Sequence, residues 1–198
     1  MLKHQRQFWD MPNRIVLLIG GYGSGKTYIG ALKSLYMSYL NSPVPGMYIS
    51  PSHQLATKTI IVTLKELCQR ADIDYTYNQQ RSEFTFHNWG GTIWLGSGDK
   101  PDSLRGPNIG WAVIDEPFIQ KREVFEQMIA RVRHPEAKQS QIFLTGTPEQ
   151  LNWGFTLAND PKLDLGIIQA STLDNPHLPD DYKESLLQAY SEEQIDAY

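Results

Sequence analysis

Cysteine is nearly absent. Cys68 is the single one in 198 residues, so no disulfide can close within the chain and a disulfide-stapled secreted scaffold is excluded. The first ten residues are mixed and polar, with no basic stretch leading into an apolar core; no secretory signal is read there, and a reducing, cytoplasmic compartment is expected. Long apolar runs are missing too: none approaches the about 18 residues that a membrane span needs. With 40% hydrophobic and 20% charged residues the chain reads as soluble and globular. Histidine is sparse, and His4, His53, His87, His134 and His177 stand apart without ligand spacing, which argues against a zinc site. Positive charge is short as well. A net charge of −4 excludes coating of nucleic acid by bulk charge, but the balance is −7 over residues 151–198 and +3 over residues 1–150. The first three quarters therefore have room for a modest basic face, and a nucleic-acid partner is permitted.

What is present is an alternation of short apolar runs and longer amphipathic ones, in a length that suits one α/β domain. Ile15 to Ile19 form a run short enough for a strand buried on both faces, ending in a glycine cluster. From Lys26 the positions Ile29, Leu32, Leu35, Tyr36, Tyr39 and Leu40 recur at helical spacing, until two prolines within 41–46 stop the helix. Met47 to Ser50 reads as a second strand and Gln54 to Arg70 as one amphipathic helix, so the pattern predicts a parallel sheet. Phe84 to Phe86 and Thr92 to Leu95 flank a turn at 88–91 and predict a hairpin. A Gly/Asp/Pro loop over 96–110 leads to a strand at Trp111 to Ile114, a helix at Arg122 to Val132 and a strand at Gln141 to Leu144. Beyond 148 the pattern weakens until an acidic helix near Tyr182 to Tyr190, after a turn-rich break at 174–179. Trp89, Trp94, Trp111 and Trp153 read as core fillers.

The residues that carry chemistry begin at Gly20-Gly21-Tyr22-Gly23-Ser24-Gly25-Lys26-Thr27, which fits the phosphate-loop (Walker A) pattern G-x-x-x-x-G-K-[ST] between a strand and a helix. Glycines let backbone N–H groups turn toward phosphate oxygens, and the positive end of the next helix adds to the attraction. Lys26 would reach the β- and γ-phosphates and Thr27 would offer its hydroxyl to Mg²⁺. Asp115-Glu116 follows an apolar strand, at the end of the sheet where ligands of open α/β folds gather, and fits a Walker B pair. Asp115 would hold the Mg²⁺ shell and Glu116 would polarise the attacking water, whereas by itself such a pair is an ordinary solvated strand end. Thr145-Gly146-Thr147 ends the next strand, either beside the phosphates or as hydroxyls capping a turn before Pro148. Arg105 lies in the glycine-rich loop, delivered to a neighbour's nucleotide or simply solvated. Arg131 and Arg133, two apart on the expected helix, do not share a face, so at most one serves a site.

The serial order of these segments resembles the ATPase half of the large terminase subunit, the DNA-packaging motor of tailed bacteriophages. The resemblance runs through Gln5-Arg6-Gln7-Phe8, GGYGSGKT at 20–27, YISPSHQLA at 48–56, LRG at 104–106, VIDEP at 113–117, LTGTP at 144–148 and DNPHLP at 174–179. It implies an ASCE or RecA-like P-loop NTPase fold, a mainly parallel central sheet flanked by helices with an inserted β-hairpin. It also implies ATP and Mg²⁺ as cofactors, with nucleotide-binding residues Gln5, Gly20, Gly21, Tyr22, Gly23, Ser24, Gly25, Lys26 and Thr27. Gln5 corresponds to an adenine-contacting glutamine, Thr27 and Asp115 to the magnesium ligands, and Lys26 and Glu116 to catalytic groups. Thr145, Gly146 and Thr147 correspond to the coupling motif, and Arg105 to an arginine inserted into the adjacent subunit's site. One departure is Tyr22, where many relatives carry arginine, so an arginine acting within the same subunit from that position is not available.

The resemblance further implies ATP-driven movement of double-stranded DNA into a procapsid in the host cytoplasm. The partners it implies are a portal protein, a small terminase subunit and further copies of the chain in a ring. Residues 1–173 are expected to form the ATPase domain and 174–198 the start of a linker towards a nuclease half, of which a chain ending at Tyr198 is too short to carry the acidic cluster. Rival readings are a helicase-like P-loop translocase, a small-molecule phosphotransferase and a nucleotide-gated assembly module with little turnover of its own. Glu116 argues against the phosphotransferase, which needs no water-activating carboxylate.

Overall fold

The computed structural model describes residues 1–106, 108–147 and 153–189, the side chains of Phe155 and Leu187 excepted. Its centre is an eight-stranded sheet in the order β3-β4-β5-β2-β6-β7-β1-β8. The strands are β1 (Ile15–Gly20), β2 (Gly46–Ser50), β3 (Tyr75–Asn78), β4 (Glu83–Phe86), β5 (Gly91–Ser97), β6 (Ala112–Asp115), β7 (Ile142–Gly146) and β8 (Leu165–Ala170). From β5 to β8 every neighbouring pair is parallel, and β4 runs antiparallel to both β3 and β5. The parallel sheet and the hairpin are thus as expected, and the hairpin continues into a third strand, β3. Its Tyr-Thr-Tyr-Asn alternates half-buried and exposed positions, which leaves no apolar run to read.

Helices cover both faces. On one lie α1 (Lys3–Asp10), α2 (Lys26–Asn41) and α4 (Ile60–Arg70), packed through Phe8, Ile29, Leu35, Ile61 and Leu64 onto Val16, Leu18, Tyr48, Val113 and Phe143. On the other, α5 (Arg122–Arg131) and α6 (Trp153–Ala158) cover Ile15, Leu17, Ile49, Ile114 and Leu144. The alternation of β1 between the two clusters is why its five apolar residues are consecutive: both faces are buried. Trp111 fills the space beside Gly46, where an added Cβ would stand 2.0 Å from its ring.

Three expectations need correction. The single helix over 54–70 is two, α3 (His53–Lys58) and α4, broken at Thr59 with φ −119° and ψ −87°. The hydroxyls of Thr57 and Thr59 donate back to the carbonyls of Gln54 and Leu55 at 2.8 and 2.9 Å, the competition with backbone bonding that makes threonine a poor helix interior. Arg131 ends α5, so Arg133 lies beyond the helix. Arg131 donates to Gly106 O and Arg133 to Asn108 Oδ1, both bracing the loop before β6 and not a phosphate site. Finally, two elements arise where none is expected. Helix α1 buries His4, Gln5 and Phe8, a face two-thirds polar, and edge strand β8 is buried at only every second residue. The acidic helix is α7 (Asp180–Ala189); Pro148, Tyr190 and the expected linker residues after it lie outside the described residues.

Candidate nucleotide site

Strand β1 ends at Gly20 and the chain turns into α2 through a loop whose Gly23 and Gly25 have φ of +75° and +85°. At Gly25 an added Cβ would also stand 2.5 Å from Gln5 Nε2, so glycine is required there twice over. The carbonyls of Gly20, Gly21, Gly23, Ser24 and Gly25 each have a side-chain partner. Buried Lys26 donates from Nζ to Gly20 O at 2.7 Å and Gly21 O at 2.9 Å, and Ser24 Oγ donates to Gly21 O at 2.8 Å. From outside the loop, Asn175 Nδ2 donates to Gly23 O at 2.6 Å, His4 Nε2 to Ser24 O at 2.9 Å and Gln5 Nε2 to Gly25 O at 3.2 Å. A planar peptide fixes its N–H opposite its carbonyl. Holding the Ser24 and Gly25 carbonyls from outside therefore turns the amides of Gly25 and Lys26 the other way, where, with the N-terminus of α2, they suit phosphate oxygens; the Ser24 amide itself donates to Gly21 O at 3.3 Å.

Strands β6 and β7 bring the other half of the site. Asp115 stands opposite Thr145, which in turn stands opposite Leu18 of β1, so sheet register alone lines the carboxylate up with the loop. Thr145 Oγ1 donates to Asp115 Oδ1 at 2.8 Å, and Thr27 Oγ1 lies 3.4 Å from Oδ2. Burial pushes the Asp115 carboxyl up to about 6. The Thr145 bond opposes that rise, Glu116 adds to it, and contact with Tyr48 and the charge of Lys26 oppose it. The phenol of Tyr48 is in turn pushed well above 10, first by burial and then by Asp115. A hydroxyl and a buried carboxylate short of compensating charge are the hard oxygen donors that Mg²⁺ takes, one or two from protein and the rest from phosphate and water. The residues present fit that ion.

Glu116 occupies the left-handed region at φ 47°, ψ 56°, a conformation costing a non-glycine residue about 1–3 kcal/mol. Its amide donates to Thr145 O at 2.7 Å, its carboxylate accepts from the amide and hydroxyl of Thr147, and Lys26 Nζ lies 3.9 Å from Oε1. Gly146 sits between the two threonines, against Pro117 and Phe118. Lys26, Thr27, Asp115, Glu116, Thr145 and Thr147 thus form one connected cluster. The hydroxyls of Thr145 and Thr147 bond the two carboxylates.

Arg105 is not joined to that cluster. Its side chain, 56% exposed, pairs with Asp102 and Glu123 at 3.2 Å each. Tyr22 is 43% exposed. Gln5 touches the phosphate loop, with its amide engaged by Leu2 N and Gly25 O. Sequence reasoning missed His4, Asn175 and Tyr48. His4 had been grouped with the isolated histidines, and Asn175 lies in the segment expected to open a linker. Tyr48 offered a signal only as the first residue of the YISPSHQLA segment.

Comparison with known proteins places this geometry. Residues 17–198 match the family described as terminase large subunit, T4likevirus-type, N-terminal. The PBSX phage terminase large subunit of Bacillus subtilis (strain 168) is 29% identical over 141 residues, 70% of this chain and 32% of that protein. Among solved structures, the large terminase of a thermophilic bacteriophage in complex with ATP-gamma-S superposes with a TM-score of 0.82 at 15% identity, over 100% of this chain and 51% of that one. The N-terminal domain of the DNA packaging ATPase from bacteriophage phi29 does so with a TM-score of 0.62 at 15% identity, over 83% and 93%. The chain therefore spans about a third of the length of the curated relative and about half of the thermophilic phage protein. With a matching family profile over nearly its whole length, the chain belongs to the T4likevirus-type terminase large subunits, of which it spans the N-terminal region.

Proposed function

We propose that this chain is the ATP-hydrolysing motor domain of a viral large terminase subunit, powering the movement of double-stranded DNA into a procapsid in the host cytoplasm. The observation that carries the reading is the placement of Glu116. It lies 3.9 Å from Lys26 and is held by Thr147, while Asp115, the last residue of β6, stands beside Thr27 in the first turn of α2. Phosphates of ATP lie against the amides of the loop and Lys26, and Glu116 accepts a proton from the water that attacks the γ-phosphorus. Thr27 and Asp115 would hold Mg²⁺, which would supply charge compensation at the phosphates. Thr145 to Thr147 carry the change at the γ-phosphate into β7.

Gln5 contacts adenine by exchanging its bond to Gly25 O for the base. Arg105 serves the site of the next copy in a ring assembled with portal protein and small terminase subunit. Among the described residues no helix is long and apolar enough to cross a membrane. The test is Glu116→Gln. ATP binding is expected to persist while hydrolysis drops at least about a hundredfold, the usual worth of a positioned base; turnover near the wild-type rate would overturn the assignment.

A further inference from the structure

The phosphate loop is held in part by a segment that follows the last strand, 152 residues away in sequence. Immediately after β8 the chain makes a compact turn. Ser171 N donates to Asp174 Oδ2 and Leu173 N to Ser171 Oγ, while Asn175 N donates to Thr172 O and His177 N to Asn175 Oδ1. The turn presents Asn175, buried, to the loop: Nδ2 donates to Gly23 O at 2.6 Å. Leu178 closes over the same residue, its methyl groups 3.1 and 3.2 Å from where a Cβ of Gly23 would stand. Two residues later α7 begins, with Lys183 N donating to Pro179 O. At the start of the turn Gly21 N donates to Ala170 O. The stretch from 170 to 179 therefore grips the loop at both ends and leads straight into a helix.

We infer that Asn175 is a positioning residue for the phosphate loop and that, with Leu178, it ties the loop's conformation to the segment 172–189. The inference rests on the nucleotide reading of the loop. Asn175 holds the Gly23 carbonyl outward, which turns the Ser24 amide back across the loop onto Gly21 O at 3.3 Å, so the loop's turn is pre-set before phosphate arrives. Pre-setting raises affinity by removing a reorganisation cost. The coupling is reciprocal, because a ligand that stabilises the loop must stabilise the strap to the same extent. Gly23 at φ +75° has no Cβ to separate the two. A side chain there would push Leu178 off and part loop from strap.

The experiment is hydrogen–deuterium exchange on the 198-residue chain with and without Mg-ATP-gamma-S, alongside titration of Mg-ATP-gamma-S affinity. In the wild type, nucleotide is expected to slow exchange at 20–27 and also at 172–189. Asn175→Asp keeps the side-chain shape but cannot donate to Gly23 O. It is expected to weaken the affinity for Mg-ATP-gamma-S about tenfold, the worth of one lost hydrogen bond, and to abolish the response at 172–189 while 20–27 still responds. If that variant does not fold, Leu178→Ala, which removes only the packing on Gly23, is expected to give the same pattern at smaller size. Protection at 20–27 with none at 172–189 in the wild type overturns the strap alone. So does a variant that responds as wild type. No protection at 20–27 overturns the nucleotide reading first, and the strap with it.

Discussion

Thr147 grips both carboxylate oxygens of Glu116, donating its amide to Oε2 at 2.9 Å and its hydroxyl to Oε1 at 3.0 Å. The base proposed to activate water is therefore oriented by the strand end beyond β7, not by its own backbone, which sits in a costly left-handed conformation. Thr147→Val keeps shape and amide but loses the hydroxyl. Hydrolysis is expected to fall about 10- to 100-fold, the range for a displaced catalytic group, with nucleotide affinity within about twofold. Single-turnover hydrolysis beside a nucleotide titration separates the two, and unchanged turnover would count against the coupling role.

Lys26 has two tasks, and its removal should show both. In the structure its Nζ satisfies the carbonyls of Gly20 and Gly21. Lys26→Ala leaves them without that donor, at a cost of about 1–3 kcal/mol where they stay buried. The nucleotide-free chain should melt at a lower temperature, and the upward shift with Mg-ATP should vanish, since the charge meeting the β- and γ-phosphates is gone. A thermal shift with Mg-ATP equal to that of the wild type would remove the phosphate-loop assignment.

Asp115 makes stability depend on pH in a direction opposite to most carboxylates. Its carboxyl sits at about 6 in the folded chain against about 3.9 in an unfolded one, so folding takes up protons between these values. Its contribution is therefore greatest at acid pH, declines as pH rises from about 4 to about 6, and is a full penalty above that, on the order of 3 kcal/mol. Asp115→Asn removes the charge and keeps an acceptor for Thr145. At pH 8 without nucleotide this variant should melt higher than the wild type, and at pH 5 the gap should narrow to about half. Adding Mg-ATP at pH 8 should stabilise the wild type and leave the variant nearly unchanged. Melting curves at the two pH values test both halves; a variant less stable at pH 8 would contradict the buried-charge argument.

Much of this was legible because it is local. Periodicity separates the five buried residues of β1 from the helical spacing of α2, and the glycine pattern between them needs no tertiary information. Asp115 and Glu116 were readable from an apolar strand ending in acid. The pairing of Thr145 with Asp115 and of Thr147 with Glu116 was not, because it depends on β6 lying beside β7, a matter of sheet order. Helix α1 and strand β8 escaped since their buried faces are polar or half-exposed. The same property makes His4 and Asn175 useful: a side chain that must bond a loop carbonyl from afar cannot announce itself by hydrophobicity. The break at Thr59 shows a local preference, hydroxyls bonding back to the chain, overriding an otherwise helical pattern.

Arg105, as proposed, is where an assembled motor and an isolated domain should differ. Its guanidinium is spent on the carboxylates of Asp102 and Glu123, both exposed partners of little energetic weight, so it can be released to another surface at low cost. If it serves a neighbour's γ-phosphate, Arg105→Ala subunits should bind ATP normally yet fail to hydrolyse it, because the charge is needed in the transition state. Mixing makes this diagnostic. Arg105→Ala subunits keep an intact phosphate loop and Glu116, while Glu116→Gln subunits keep the arginine. Rings assembled from both contain junctions that pair a whole site with a whole arginine, and activity should reappear from two inactive parents. Arginine fingers contribute about 10³-fold or more, so partial rescue stands clear of background. The measurement is ATPase rate against mixing ratio, on the full-length protein assembled with its portal. A dead mixture under conditions where wild-type rings turn over, or activity of Arg105→Ala alone, would return Arg105 to the loop contact that the structure shows.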